Sequence, residues 1–405
     1  MALSGIEPIL QVKLAELAAH GICKGSEQAI CGVKPGANGF GPRYLLAGQG
    51  EKEFLRMNSN AYLGLGLHPE VIAAEEAAVR LFGAGPGAVR FISGTHAPHL
   101  ELEARLARFH GREAAMLFSA AYATVMGVLP QLIDAETAVV SDSLNHNCII
   151  NAIRLARPIA KALYRHNDMA DLEARLQELV GRAKRLLVVT DGIFSMRGDH
   201  APLDQLVAIC QRYEERFPQG IITVVDDSHG VGVFGPTGRG VEEHCGVRAD
   251  ILIGTLGKAF GVNGGYLATS DTMIRYLRET APLYIYSNPV TPAEAAAAQA
   301  AVDIVDSGEG QRLLAHLRGV TRRLENGLAG LGFEFLSGPH PIVPLLVRDT
   351  GRTAQLIDSL FSHRILATGI KFPVVPRGDE EIRFQVNADH TENDIDYLLE
   401  VLSKI

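Results

Sequence analysis

Short apolar runs alternate with amphipathic stretches through the middle of the chain, from about residue 62 to residue 288. The apolar runs predict strands, and they are Ala115–Phe118, Ala138–Ser141, Leu186–Thr190, Ile221–Val225, Ile251–Ile253 and Gly265–Ala268. The stretches between them predict helices, among them Pro98–Phe109, Asp168–Leu179 and Leu203–Arg216. Strands that alternate with helices form a mostly parallel sheet covered on both faces. The pattern therefore predicts an α/β fold.

The two ends of the chain differ from this middle part. From about residue 291 a helical stretch is followed by the strand-like runs Ile342–Val347 and Glu381–Val386 and then by a closing helix. In the first 60 residues, Gly and Pro cluster between Gly32 and Gly50, which favours an arm with a short strand. We therefore predict an N-terminal arm over 1–60, a large domain over 61–290 and a smaller α/β domain over 291–405.

Composition excludes several classes of function. The 405 residues are 47% hydrophobic and carry a net charge of −8 without a Lys/Arg block, so neither nucleic acid nor an anionic membrane is expected as a partner. The first residues lack a signal-peptide pattern, and polar residues interrupt the Ala-rich stretch 293–305, which rules it out as a membrane span. Five scattered cysteines without a CxxC or HExxH motif indicate neither disulfides nor a metal site. A cytoplasmic protein is expected.

Polar residues follow the predicted strands where each strand ends. These segments are Ser119–Tyr122, Asp142–His146, Asp191–Ser195, Asp226–His229 and Thr255–Lys258. In open α/β sheets the ligand lies outside the carboxyl ends of the strands, so these side chains are expected to share one site. The first segment also opens a helix, whose free backbone N–H groups bind phosphate well. The sequence predicts a ligand site with a phosphate subsite.

Lys258 and Asp226 indicate the chemistry of that site. Lys258 lies between glycines, which leave room for a bulky group on its amine, and Asp226 ends an apolar strand. Pyridoxal 5'-phosphate (PLP) needs an amine for a Schiff base and a carboxylate that keeps its ring nitrogen protonated. Taken singly, each residue has a structural explanation: a surface lysine, or an aspartate that caps a turn, a role for which Asp227 is the better candidate.

Other motifs fail. Gly83–Gly87 follows a helical stretch and not a strand, so it does not indicate a dinucleotide loop. The segment Gly254–Lys258 lacks the Ser/Thr that follows the lysine of a phosphate-binding P-loop, and no GxSxG motif occurs. The strand-end segments therefore remain the leading evidence.

These segments, together with several others, carry a resemblance that covers nearly the whole chain. The matching motifs are Asn60–Leu65, Gly83–Arg90 with Ser93–Thr95, His99 with Glu101–Glu103, Leu144–His146, Thr190–Met196, Val225–Gly230 and Gly254–Lys258. In these motifs the chain resembles the α-oxoamine synthase family of fold-type-I PLP enzymes. The resemblance implies a PLP-dependent transferase fold of the aspartate aminotransferase type.

The resemblance also implies a role for each matching residue. Lys258 would bind PLP covalently, Asp226 would pair with the ring nitrogen, and His146 would stack on the ring. His229 and Ser195 would bond the phenolic oxygen. The phosphate would be held by backbone N–H groups of Ala121 and Tyr122, by Thr255, and by Ser287 of a second subunit. Asn60 and Arg383 would hold the substrate carboxylate, for which a guanidinium is well suited. Lys258, His146, Asp226 and His229 are the expected catalytic residues.

The family's activity is the condensation of an amino acid with an acyl thioester. The resemblance implies glycine and a short acyl-CoA such as acetyl-CoA, and a homodimer with shared active sites. Three alternatives stay open: a different amino acid or an acyl group on a carrier protein; another PLP enzyme of the same fold, such as a decarboxylase or aldolase; and a partner subunit without activity. The presence of Lys258, Asp226 and His146 argues against the last.

Overall fold

The structure is a computed structural model that describes residues 3–19, 27–372 and 375–405; Cys23 lies outside these ranges. The described residues form two compact units. One comprises Asn60–Ser195 and Asp199–His316, and the other comprises Met196–Gly198, Leu317–Ile405 and the described part of Met1–Ser59. The arm and domain bounds expected from the sequence stay a prediction.

The strands are β1 Ile30–Lys34, β2 Arg43–Leu46, β3 Glu53–Arg56, β4 Ala114–Phe118, β5 Thr137–Asp142, β6 Ala160–Tyr164, β7 Arg185–Asp191, β8 Ile221–Asp226, β9 Ile251–Thr255, β10 Gly265–Thr269, β11 Ile342–Leu346, β12 Ile365–Leu366, β13 Thr368–Ile370 and β14 Glu381–Gln385. The α-helices are α1 Glu7–Ala19, α2 Pro69–Phe82, α3 Ala97–His110, α4 Ala121–Leu132, α5 Asn147–Ala156, α6 Met169–Leu179, α7 Leu203–Tyr213, α8 Val241–Cys245, α9 Asp271–Thr280, α10 Pro282–Ile285, α11 Pro292–Val305, α12 Gly308–Gly330, α13 Thr350–Ser362 and α14 Glu392–Leu402. No helix among the described residues is both long and apolar enough to span a membrane.

The larger unit is built on a seven-stranded sheet in the order β4-β10-β9-β8-β7-β5-β6. β10 runs antiparallel to β4 and β9, and the other neighbouring pairs are parallel. The expected mostly parallel α/β sheet is therefore confirmed. Since β5, β7, β8 and β9 point the same way, their carboxyl ends meet at one edge of the sheet, where the sequence places its polar segments.

Alternate residues of the strands enter two separate apolar cores. Leu187 and Val189 of β7 pack in a core with residues of α4, α5 and α9, whereas Leu186 and Val188 pack in a core with α6 and α7. Successive side chains of a strand point to opposite faces, so a run that is apolar throughout is the expected sequence of a strand covered on both sides. Each such buried aliphatic side chain contributes about 1.5–3 kcal/mol of transfer free energy, which fixes the strands that carry the site.

The other unit has two small sheets. In the first, β1, β2 and β3 are antiparallel neighbours and β12 pairs in parallel with β3; in the second, β14 lies between β11 and β13. Arg383 lies on β14 opposite Pro344 and Thr368. On the same face, Gln385 is fully buried and Arg383 is half-buried, so this face is not solvent-exposed throughout.

Among the elements that have no counterpart in the predicted pattern are β6 and α1. β6 is an edge strand in which Lys161 and Leu163 are exposed, so its sequence lacks the continuous apolar run of an interior strand. Helix α1 contains no buried residue. Periodicity reflects burial against a core, and both elements bury too little to produce it.

Candidate active site

A pocket opens at the carboxyl ends of β5, β7, β8 and β9. It is lined by Ala121, Tyr122, His146, Cys148, Asp191, Ile193, Ser195, Asp226, Ser228, His229 and Lys258. Seven of the residues proposed from the sequence are thus brought together: Ala121, Tyr122, His146, Ser195, Asp226, His229 and Lys258. Their convergence follows from the shared direction of the strands, since each lies at or shortly after a strand end.

The two carboxylate oxygens of Asp226 differ in how many hydrogen bonds they already accept. Oδ1 accepts the backbone N–H of Ser228 at 3.1 Å and its hydroxyl at 2.6 Å. Oδ2 accepts the Cys148 thiol at 3.8 Å, a long contact. A carboxylate oxygen can accept two hydrogen bonds, so Oδ2 can still accept an N–H from a ligand. Buried beside Lys258 in the pocket, this carboxylate fits the pyridinium nitrogen of PLP.

His146 caps helix α5 and is held as a neutral ring. Its Nδ1 accepts the backbone N–H of Cys148 at 3.3 Å. A backbone N–H can only donate, so Nδ1 carries the lone pair and the proton lies on Nε2. Burial lowers the pKa of His146; Asp226 opposes this shift and the charge of Lys258 adds to it. A neutral imidazole beside the carboxylate is suited to stack on an aromatic cofactor.

Asp191 is a pocket residue that was named in the sequence only as part of a motif. Its Oδ2 accepts the backbone N–H of His146 at 3.0 Å, and its own N–H donates to Asn145 Oδ1 at 2.8 Å. Burial, and then the charge of Asp226, raise the pKa of Asp191 well above its usual range. The raised pKa favours the protonated form of Asp191, and its hydrogen bond to the His146 backbone holds that residue beside the pocket. Its position at the end of β7 is the sequence signal that could have identified Asp191 as a pocket residue.

His229 is linked to Asn60 through a buried tyrosine. Tyr62 Oη lies 2.8 Å from His229 Nδ1 and 3.3 Å from Asn60 Oδ1. The tyrosine side chain is fully buried, so the two hydrogen bonds fix the ring of His229 in the pocket wall. Tyr62 lies within the motif Asn60–Leu65, but its partner is 167 residues away, a pairing that strand patterning does not predict.

The segment that carries Lys258 is closed by backbone hydrogen bonds. Leu256 N–H donates to Gly264 O at 2.9 Å, and Val262 N–H donates to Leu256 O at 3.0 Å. Gly261 has a φ of +71°, and a Cβ there would lie 2.2 Å from the backbone nitrogen of Gly66. The glycine after the lysine is therefore required for chain packing, besides leaving space for a ligand.

The start of α4 supplies backbone donors at the pocket. Its N-cap, Ala120, has no side chain that can cap the helix, and the first turn exposes the N–H groups of Ala121 and Tyr122 beyond the helix's own hydrogen bonds. A Cβ at Gly265 would lie 2.3 Å from the nitrogen of Ala121, so glycine lets β10 run close beside this turn. Such a helix start fits a phosphate group.

Four of the proposed residues do not line this pocket. Thr255 bonds Gly264 O at 3.1 Å and Gly257 N–H at 3.2 Å, which places it in the lysine segment. Asn60 contacts Tyr62, Ser287 is half-buried after α10, and Arg383 lies on β14 of the other unit. Their roles stay predictions. Cys148, in contrast, lines the pocket and was missed, and Ser228 lines it although the sequence named it only within the segment Asp226–His229; each lies two residues after a proposed residue.

The pocket thiol is expected to resist alkylation. Cys148 and Cys210 are buried, whereas Cys31 is exposed. Burial raises the pKa of Cys210 to about 12, and burial with the charges of Asp226 and Asp191 also raises the pKa of Cys148. Only the thiolate reacts, so iodoacetamide at neutral pH should label Cys31 before Cys148. Peptide mapping checks this; labelling of Cys148 at the same rate in the native protein would contradict it.

Comparisons with known proteins agree with this geometry. The family model described as aminotransferase class I and II matches residues 52–402. Human mitochondrial 2-amino-3-ketobutyrate coenzyme A ligase is 40% identical over 354 residues, which cover 87% of this chain and 82% of the relative. The 8-amino-7-oxononanoate synthase of Fervidobacterium nodosum is 39% identical over 359 residues, covering 87% and 89%. The solved structure of Sphingomonas wittichii serine palmitoyltransferase matches with a TM-score of 0.87 and 27% identity over 99% of this chain and 97% of that chain.

Proposed function

The chain belongs to the α-oxoamine synthases of the aminotransferase class I and II family, and on that premise we propose that it condenses glycine with a short acyl-CoA such as acetyl-CoA. The product would be an α-amino-β-keto acid, or the α-amino ketone that remains if the carboxylate is lost. The cofactor is PLP. The observation that carries the proposal is the convergence of Lys258, Asp226, His146 and His229 in one pocket.

The names of the relatives define the reaction class. In 2-amino-3-ketobutyrate and in 8-amino-7-oxononanoate, the amine is on the carbon next to a ketone. That arrangement forms when the Cα of an amino acid is acylated. Four carbons in the first compound correspond to glycine plus an acetyl group. This chain is about equally similar to both relatives, so the amino acid and the acyl chain are the part of the proposal that most needs testing.

When bound, PLP supplies an electron sink that lets a Cα–H bond ionise. The chain's own residues would do the rest. Lys258 Nζ would hold the cofactor's aldehyde carbon and, once released, would take and return the Cα proton. Asp226 Oδ2 would accept the ring N–H of the cofactor, and the Asp226 carboxylate would keep that proton in place. The neutral ring of His146 would cover one face, and its contacts with the α5 backbone would hold it there.

Binding groups complete the proposed site. His229, held by Tyr62, and Ser195 would bond the phenolic oxygen. The N–H groups of Ala121 and Tyr122, with Thr255, would hold the phosphate. Ser287 of a second subunit is proposed as a further phosphate ligand, which makes the active unit a homodimer. Asn60 and Arg383 are proposed to bind the amino-acid carboxylate, and a cytoplasmic location is proposed from the free cysteines.

A panel of amino acids crossed with acyl thioesters tests the function. Glycine with acetyl-CoA is expected to release CoA thiol and give a product whose mass is that of the condensed acid or its decarboxylated ketone. Thiol release would be followed with a thiol reagent and the product by mass spectrometry. A different productive pair, or a carrier-protein thioester, would replace the substrates and keep the reaction class. Turnover of an amino acid without any thioester would instead indicate a lyase or decarboxylase.

A further inference from the structure

His166 links two of the segments that form the pocket, although it does not line the pocket itself. Its Nδ1 lies 3.0 Å from Asp142 Oδ1, and its Nε2 lies 3.0 Å from Asp199 Oδ2. A carboxylate can only accept, so each bond needs a proton on the ring nitrogen. With both nitrogens donating, the ring is an imidazolium held between two carboxylates, the stronger kind of hydrogen bond.

Asp142 connects His166 to the segment that presents His146. It ends β5, and its Oδ1 also accepts the backbone N–H of Leu144 at 2.8 Å. Its Oδ2 accepts the N–H of Asn167 at 3.0 Å. The carboxylate thereby fixes the turn that leads from β5 into the N-cap of α5, where His146 is located.

Asp199 connects His166 to the segment that carries Ile193 and Ser195. The carbonyl of Asp199 accepts the N–H of Phe194 at 2.9 Å. The Phe194 ring also meets the His166 ring edge-on, with centroids 4.4 Å apart. Phe194 lies between two pocket-lining residues, so the position of Asp199 determines where this wall of the pocket stands.

We propose that His166 is a positioning residue for the cofactor site: its imidazolium ties the segment of His146 to the segment of Ser195 and so tightens the binding of PLP. This inference rests on the proposed function, because it concerns the same pocket. His166 contacts neither the pocket space nor any residue assigned to the chemistry, and it acts through Asp142 and Asp199.

The charge of the link predicts a pH dependence. Burial lowers the pKa of His166, but the bonds to Asp142 and Asp199 outweigh it and raise the pKa from 6.5 to about 9. Those two aspartates are the charged groups facing the ring; Phe194 and the Asn167 amide are its neutral neighbours, and Arg165 pairs with Asp168. A raised pKa means that the stabilisation is complete below pH 6.5 and is lost as the pH rises through about 9.

The test measures PLP dissociation constants by fluorescence across this pH range. His166→Gln cannot donate to both carboxylates, and we expect its PLP dissociation constant at neutral pH to rise about tenfold, as for one lost bond to a charged group. PLP binding by the wild type should weaken above about pH 9, and the variant should lack this alkaline step in the dissociation constant. His363→Gln, at the exposed end of α13, is the matched control and should bind PLP like the wild type.

Asp199→Asn is the second variant, chosen because Asp199 is partly exposed and the amide can still accept from Nε2. Loss of one negative charge should move the alkaline step to lower pH. If His166→Gln folds and binds PLP within twofold of the wild type, or if Asp199→Asn leaves the alkaline step in place, the inference is wrong. A fall in melting temperature alone would mean a merely structural role. A wild type that bound no PLP would instead overturn the proposed function.

Discussion

Replacing Lys258 with alanine is expected to lower kcat/KM by about 10³-fold or more, because the variant loses the amine that we propose binds the cofactor covalently and moves the Cα proton. The side chain is half-buried at the pocket, and the hydrogen bonds that close its segment come from the backbone and from the Thr255 hydroxyl. The fold should therefore survive the change. Steady-state thiol release measures the loss, and a thermal melt checks the fold.

Borohydride reduction of the holoprotein followed by peptide mapping directly tests the proposed covalent bond between Lys258 and PLP. The wild type should carry the cofactor's mass on the peptide that contains Lys258, and Lys258→Ala should carry none. Lys161→Ala, on the exposed face of the edge strand β6, is the matched control and should keep both label and activity. Label on another lysine, or label retained in Lys258→Ala, would refute the assignment of this residue.

Asp226→Asn is expected to be the second most damaging change, with kcat/KM reduced about 10²-fold, or ~3 kcal/mol, as when a buried charge loses its partner. The amide has nearly the same shape and can still accept the two bonds from Ser228. What it loses is the carboxylate charge that we propose keeps the ring nitrogen protonated. PLP affinity should fall with activity, and both should be measured at neutral pH.

Two further substitutions serve as comparisons for Asp226→Asn. Ser228→Ala removes the 2.6 Å hydrogen bond to Oδ1 and leaves the charge, so its effect should be smaller than that of Asp226→Asn. Asp271→Asn, in an exposed ion pair with Arg275 at the start of α9, should have no effect. If Asp226→Asn kept wild-type PLP affinity and turnover, the carboxylate would not be the partner of the ring nitrogen.

The central sheet and most of the pocket could be predicted because they depend on burial within single strands. Interior strands such as β7 are apolar on both faces, and the polar residue that ends each one lies at the ligand edge. The sequence also distinguished the neighbours Asp226 and Asp227. Asp226 lines the pocket, whereas Asp227 Oδ2 accepts, at 2.7 Å, the N–H of Val241, the first residue of α8. Local sequence was enough to suggest these different roles.

The remaining part of the site depends on pairings between distant segments. Tyr62 with His229, and Cys148 with Asp226, become neighbours only when the sheet is assembled. The edge strand β6 gives the clearest case. Its half-exposed sequence lacks the apolar run of an interior strand, and so it does not predict that the polar residues after it, His166 among them, lie at a strand end. Long-range side-chain contacts leave no periodic trace in the chain.

The closed segment between β9 and β10 has a consequence for how the enzyme would work between turnovers. Lys258 lies on a short loop whose two ends are joined by backbone hydrogen bonds. A released amine can therefore move only as far as rotation of its own side chain allows. It behaves as an intramolecular reagent, for which effective molarities of about 10⁵ M are attainable. Soluble amines supplied to the alanine variant at ordinary concentrations would therefore recover only a small part of the lost rate.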